Sequence, residues 1–153
     1  MQPEILRLQK RLANLPVQRA GFAVCLVGEA GVGKSYALAQ MAQVLPIAYL
    51  STQATQNIKT LIEQLPRPKR LPYWLCQNLE KKNDSLAVLL GLLEAIAPFV
   101  LFVEDLTSEH THVWLELAER VRGCPKVALV FSSRQRLRTL DCIVLEPLNQ
   151  QRT

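Results

Sequence analysis

The sequence predicts an α/β protein: a five-stranded parallel sheet with helices on both faces, a three-layer α/β/α sandwich. Three observations predict it. Short apolar runs of strand length alternate with longer helical patterns, the sign of a parallel sheet built from crossover units. The runs FAVCLV (22–27) and FVLFV (99–103) are continuously apolar, as strands buried on both faces are. Polar or glycine-containing tips follow the runs at one end: Gly28, Glu104-Asp105 and Ser132 to Arg134. In open α/β sheets ligands collect at the carboxyl ends of the strands. The chain has 153 residues, the size of one domain, and its 49% apolar content supports a sizeable core, which excludes a disordered chain.

Residues 3–15 read as an amphipathic helix, with Ile5, Leu8, Leu12 and Leu15 on one face and Arg7, Lys10 and Arg11 elsewhere. Pro16 stops it. We expect residues 1–18 to form an N-terminal helix and linker packed on the sheet edge, ahead of a core spanning 20–148; docking a partner is the alternative. The first strand is 22–27. Residues 36–45 are rich in helix formers and stop at Pro46. A short second strand covers 47–50, and Ile58, Leu61, Ile62 and Leu65 mark a helical face in 51–65. The segment PRPKRLP (66–72) has three prolines and exposes three cations. It reads as a solvated connection or as a contact for nucleic-acid phosphates.

Tyr73 and Trp74 are expected to pack the next short helix onto the body. Asn83 or Asp84 would cap a helix running to Ala97. Glu94 is the only charge between Leu86 and Val103, but Pro98 divides the segment into a buried helix and a strand, not a membrane span. A helix over 109–122 turns Val113, Trp114, Leu117 and Val121 inward and ends at Gly123. Val127 to Phe131 is the fourth strand. Ile143 to Leu145 is the fifth, followed by Glu146-Pro147-Leu148.

The formal net charge of +5 suits nucleic acid or an anionic nucleotide and decides neither. Four cysteines show no paired metal spacing, and Cys25 and Cys142 read as buried small hydrophobes. The N-terminus has no signal-peptide pattern, so a reduced, cytoplasmic setting is expected.

Residues 28–35, GEAGVGKS, fit G-x-x-x-x-G-K-[ST], the phosphate-binding loop of nucleotide triphosphatases. A strand before it and a helix after it are the setting that pattern requires. Gly28 would leave the strand with dihedrals that residues carrying a Cβ avoid. Gly31 and Gly33 would let backbone N–H groups converge on phosphate oxygens. Lys34 would meet the outer phosphates, and Ser35 would offer a hydroxyl to Mg²⁺. The candidate nucleotide contacts are therefore Gly28, Glu29, Ala30, Gly31, Val32, Gly33, Lys34, Ser35 and Tyr36.

The strand ending in Glu104-Asp105 has the form of a Walker B strand, an apolar run ending in acid. Glu104 sits where the Mg²⁺-organising acid is expected and Asp105 where the base for water is expected; with Ser35 they are the candidate metal ligands. In an extended chain the two side chains would point in different directions. At the fourth strand's end Ser132 would orient water and Arg134 would neutralise phosphate charge. Arg136 and Arg138 follow, and such a cluster can also act in trans as an arginine finger. His110 and His112 stand two apart and share no helix face, so no metal site is expected there.

Taken together, Gly28 to Ser35, Glu104-Asp105-Leu106, Ser132-Ser133-Arg134 and Leu145-Glu146-Pro147-Leu148 resemble P-loop ATPases of the AAA+ class, and most closely the STAND branch. The resemblance implies a sheet of order 5-1-4-3-2, ATP binding, slow or regulated hydrolysis, and Arg134 as a γ-phosphate contact. Thr107-Ser108 stand where many relatives have a histidine-tryptophan pair. The helical lid expected after the fifth strand is not seen before Thr153, so a larger protein context, a partner or a homo-oligomer would supply the lid or an arginine finger. The expected function is an ATP-binding, slowly hydrolysing module that switches a conformation or drives assembly. A DNA-associated helper ATPase, a small-molecule P-loop kinase and a non-hydrolysing nucleotide-binding interaction domain are the alternatives. Against the kinase, the second strand ends in Leu50-Ser51-Thr52 with no acid to activate an acceptor.

Overall fold

A computed structural model describes residues 2–29, 33–109 and 111–145. Ala30, Gly31 and Val32 of the phosphate loop, His110, and Glu146-Pro147-Leu148 lie outside the described residues. The elements run α1 (Pro3–Ala13), a 3-10 turn (Leu15–Val17), β1 (Phe22–Val27), α2 (Lys34–Val44), β2 (Ala48–Gln53), α3 (Ile58–Gln64), α4 (Tyr73–Glu80), α5 (Leu86–Ile96), β3 (Phe99–Leu106), α6 (Thr111–Val121), β4 (Val127–Ser133) and β5 (Asp141–Val144). All strand pairs are parallel, in the order β2-β3-β4-β1-β5, which is the expected 5-1-4-3-2 read from the other edge.

Strand alternation sorts the side chains into two cores. Cys25, Val27, Leu101, Val103, Leu129 and Phe131 face a layer made by α3, α4, α5 and α6. Val24, Leu26, Val100, Phe102 and Val130 face α1 and α2. Strands β1 and β4 are buried along their whole length, and β3 until its acidic end. That is why their runs carry no polar alternation.

Edge strand β2 is longer than expected. Ser51, Thr52 and Gln53 continue to pair with Phe102, Val103 and Glu104. An edge strand is covered less completely, so polar residues do not stop it.

Several expectations change on packing grounds. Helix α1 lies over a sheet face, with Ile5, Leu8, Leu12 and Leu15 at most 4% exposed, in one core with Leu38 and Met41 of α2. The Arg11 guanidinium sits 3.7 Å from the Phe22 ring centroid, a cation–π contact. Gln2 donates to the Val144 carbonyl of edge strand β5. The apolar stripe is thus spent within the domain, not kept for a docking partner. Tyr73 is 77% exposed, and Leu75, fully buried, anchors α4 in its place. Trp74 is 46% exposed, with one side of its ring against Gly91, where a Cβ would come within 2.6 Å of it.

Ser85, not Asn83 or Asp84, caps α5: its hydroxyl accepts from the Val88 N–H at 3.3 Å. On α6 Val113 faces solvent and Ala118 takes its place inside, while the Trp114 indole donates to the Ala54 carbonyl at 2.8 Å. Arg67 donates to the Ile62 and Leu65 carbonyls at 2.8 and 3.1 Å, satisfying the end of α3. One of the three cations of the 66–72 segment therefore has a structural task. No helix among the described residues is long and apolar enough to cross a membrane.

Candidate functional site

The site lies at the carboxyl ends of β1, β3 and β4. Gly28 leaves β1 with its N–H bonded to the Ser133 carbonyl of β4 at 3.0 Å. The left-handed glycine among the described residues is Gly33, at φ 94°, where a Cβ would be strained; Gly28 does not take up that role. Gly33 is the N-cap of α2 and has no side chain to cap it. The first N–H groups of an 11-residue helix are thereby left for an anion.

Lys34 opens α2, and its ammonium curls back to donate to the Gly28 carbonyl. Its pKa is lowered from the ordinary 10.5, first by burial and then by the Arg134 guanidinium, while Asp105, Cys25 and Glu29 pull the other way. Two cations and two carboxylates thus share one electrostatic neighbourhood at the start of α2. Ser35 and Tyr36 are exposed in the first turn, and the Tyr36 hydroxyl accepts from the Gln40 amide at 2.9 Å. Behind the loop, burial and the facing Cys142 push the Cys25 thiol up to about 12, which keeps it a neutral core group.

At the end of β3 the register against β4 slips. Val103 pairs with Phe131, but Leu106 pairs with Ser133, so β3 carries one extra residue, a β-bulge. Asp105 takes φ 59°, a left-handed conformation that Asp tolerates better than most residues. Its N–H donates to the Ser132 hydroxyl at 3.0 Å, and Ser132 is only 2% exposed. The divergence of the two acids comes from this bulge and not from the extended chain that the sequence suggests. Glu104 is half-buried, and its Oε2 accepts from the Gln53 amide at 3.2 Å.

Arg134 follows β4 on the surface, with Arg136 and Arg138 exposed beyond it. A cavity of about 450 Å³ opens between the β3–α6 and β4–β5 connections. Asp105, Arg134, Thr107, Ser108, Thr111 and Gln135 line it.

The structure therefore gathers Gly28, Glu29, Lys34, Asp105 and Arg134. It places Glu104 toward β2 and engages the Ser132 oxygen with the Asp105 backbone. Gln53 is the residue that sequence reasoning missed; extending β2 by three residues would have set it opposite Glu104. Ser35, Glu104 and Asp105 supply the hard oxygen donors that suit Mg²⁺. Among the described residues no three His, Cys, Asp or Glu side chains form a cation cage. A magnesium ion held here would use few protein oxygens and complete its shell with phosphate and water, which is its habit.

The lowered Lys34 pKa has a testable sign. Its charged form is penalised in the folded chain at neutral pH, and the penalty disappears as pH rises from the folded value toward 10.5. A bound phosphate favours the charged form. ADP affinity, followed by titration calorimetry, should fall with rising pH before 10.5 is reached. Arg134→Ala, which removes one cause of the lowering, should move that fall to higher pH. An identical pH profile in both proteins would show that Arg134 does not act on Lys34.

No protein-family model matches the chain, and no curated protein matches it by sequence. Solved structures do match in fold. Cdc6p from Pyrobaculum aerophilum aligns with a TM-score of 0.59 and 17% identity, over 96% of this chain and 46% of that one. Drosophila ORC, solved bound to DNA, aligns with a TM-score of 0.55 and 15% identity, over 92% of this chain and 41% of its own. A signal transduction ATPase with numerous domains (STAND) from Pyrococcus horikoshii, which carries a tetratricopeptide repeat sensor, aligns with a TM-score of 0.56 and 17% identity, over 94% and 23%. The chain spans less than half of each of these proteins. The chain thus shares the fold of these three proteins, an α/β fold on a five-stranded parallel sheet with the expected strand order.

Proposed function

We propose that the chain is an ATP-binding module that hydrolyses ATP slowly and uses the nucleotide state as a conformational or assembly switch. The observation that carries this reading is the uncapped start of α2, with the Lys34 ammonium at the Gly28 carbonyl and with Asp105 and Arg134 lining one cavity at the ends of β3 and β4. The loop 28–35 and the α2 N–H groups cradle the phosphates. Lys34 exchanges the Gly28 carbonyl for a phosphate oxygen. Arg134 neutralises the terminal phosphate. Ser35 and Glu104 would hold Mg²⁺, which would supply charge compensation at the phosphates. Asp105 takes the proton of the attacking water as the bond from the γ-phosphorus to the ADP oxygen breaks. The three similar structures belong to longer chains, which supports a setting in which another domain or a second copy completes the site. A cytoplasmic location belongs to the same reading.

Asp105→Asn tests the assignment cleanly, because Asn also tolerates a left-handed φ and leaves the backbone in place. The variant should retain ATP, with turnover down by about a hundredfold or more. Chromatography of the nucleotides after incubation with Mg²⁺ would show ATP in the variant and ADP in the parent. Equal turnover in the two proteins would remove Asp105 from the chemistry, and bound ATP left intact by both would favour a non-hydrolysing interaction domain. The kinase reading has no such anchor, since β2 ends in Ser51, Thr52 and Gln53.

A second reading, contact with nucleic acid, is favoured by one observation. Lys59, Arg67 and Lys82 line the same small cleft between α3 and α4. Duplex DNA titrated at rising salt should then bind with a steep salt dependence. Binding that ignores salt would remove this reading.

A further inference from the structure

We propose that Ser132 and Gln53 are positioning residues that assign the two acids at the end of β3 to different tasks. The proposal rests on the ATPase reading above and deepens it. Adjacent acids on one strand end compete, because both seek the same cation. A regular strand would separate them only by pointing them to opposite faces. Here the bulge does something else. The register slip sets Glu104 and Asp105 together opposite Ser132. The two are then secured from opposite neighbours in the sheet.

On the β4 side, the Ser132 hydroxyl accepts the Asp105 N–H at 3.0 Å. Left-handed backbone is unfavourable for a residue with a Cβ, and such a partner offsets that cost. Ser132 is 2% exposed and therefore has little freedom to swing away. The bond holds Asp105 at φ 59° and its carboxylate in the field of Lys34. On the β2 side, the Gln53 amide donates to Glu104 Oε2 at 3.2 Å. Gln53 stands at the matching register position of the edge strand. A neutral amide fixes the direction of the carboxylate without adding a counter-charge, and it occupies only one of that oxygen's lone pairs. The acid nearer the phosphate loop is thus held through its backbone, and its neighbour through its side chain.

The two residues should fail differently. Ser132→Ala should lower turnover at saturating ATP by about tenfold, with KM and ADP affinity within about twofold of the parent, as loss of one hydrogen bond predicts. Ser132→Thr, which keeps the hydroxyl, should restore turnover. Exchange of the Asp105 amide hydrogen should accelerate about tenfold in Ser132→Ala and not in Ser132→Thr. Gln53→Leu should raise the Mg²⁺ concentration needed for half-maximal ATP binding by about fivefold and leave Asp105 amide exchange unchanged.

A Ser132→Ala protein that loses ADP affinity and turnover together, in step with a fall in Tm, would make the serine a packing residue and overturn the proposal. Unchanged Asp105 exchange in that variant, or an unchanged Mg²⁺ requirement in Gln53→Leu, would overturn it equally. If the parent neither binds nor turns over ATP, the ATPase reading falls, while Asp105 exchange still reports whether Ser132 holds the bulge.

Discussion

Lys34→Ala should abolish the rise in melting temperature that ATP or ADP with Mg²⁺ gives the parent. A ligand that binds only the folded state, at a hundred times its dissociation constant, stabilises by about 2.7 kcal/mol. For a chain of this size that is a shift of about 5–10 °C. Lys34 is positioned to supply a large part of the interaction, because its ammonium lies over the loop at the Gly28 carbonyl. The substitution is otherwise benign. Alanine is a strong helix former and fits the start of α2 without strain. The lysine it replaces is desolvated and repelled by Arg134, so its charge is a burden in the ligand-free chain. The variant should therefore melt no earlier than the parent without nucleotide and fail to respond when nucleotide is added. Equal shifts for the two proteins, by differential scanning fluorimetry, would contradict nucleotide binding at this loop.

Gly21→Ala should destabilise the fold by about 3 kcal/mol, a drop in Tm of about 6–12 °C. Gly21 enters β1 beneath the end of α6 and the start of β4. A Cβ there would lie 2.1 Å from the Val121 carbonyl oxygen, 2.6 Å from that of Cys124 and 2.7 Å from that of Val127. All three are backbone atoms, so no flexible side chain can move aside; either the α6–β4 turn or β1 must shift. Gly123→Ala is the control, since its nearest contact would be an ordinary 3.6 Å. Chemical denaturation of both variants would check the contrast, and equal stabilities would show that β1 does not enter so tightly. The functional side of the same test is that β1 carries Gly28 to its bond with Ser133. Any shift of β1 that survives folding should also weaken nucleotide binding.

The parts of this molecule legible in the sequence are those where one physical cause dominates. The runs 22–27, 99–103 and 127–131 of β1, β3 and β4 are buried on both faces, which is why they read as continuously apolar. The passage from β1 to α2 was legible because an apolar run, glycines and a run of helix formers follow one another there. Where two causes compete, the reading slipped. β2 ended too early because polar Ser51, Thr52 and Gln53 belong to a sheet edge, which solvent and pairing share. The cap of α5 went to the wrong residue among Asn83, Asp84 and Ser85, which have nearly equal local preferences until tertiary packing fixes the helix start. Tyr73 went inward on hydrophobicity alone, although its hydroxyl is satisfied on the surface by Gln77. Most consequential, nothing in Glu104-Asp105 announces a bulge. No glycine marks it, and the left-handed turn depends on a hydroxyl 27 residues away.

The contact between Lys34 and the Gly28 carbonyl also bears on selectivity among phosphate compounds. The lysine begins with an oxygen already in hand, so an anion that reaches it alone merely trades one acceptor for another. Inorganic phosphate or a nucleoside monophosphate gains little from that trade. On the proposed reading, a triphosphate that met Lys34 and Arg134 together would be rewarded for relieving their mutual repulsion. The self-contact would then make this end of the sheet a gauge of phosphate-chain length, discriminating by reach as much as by charge.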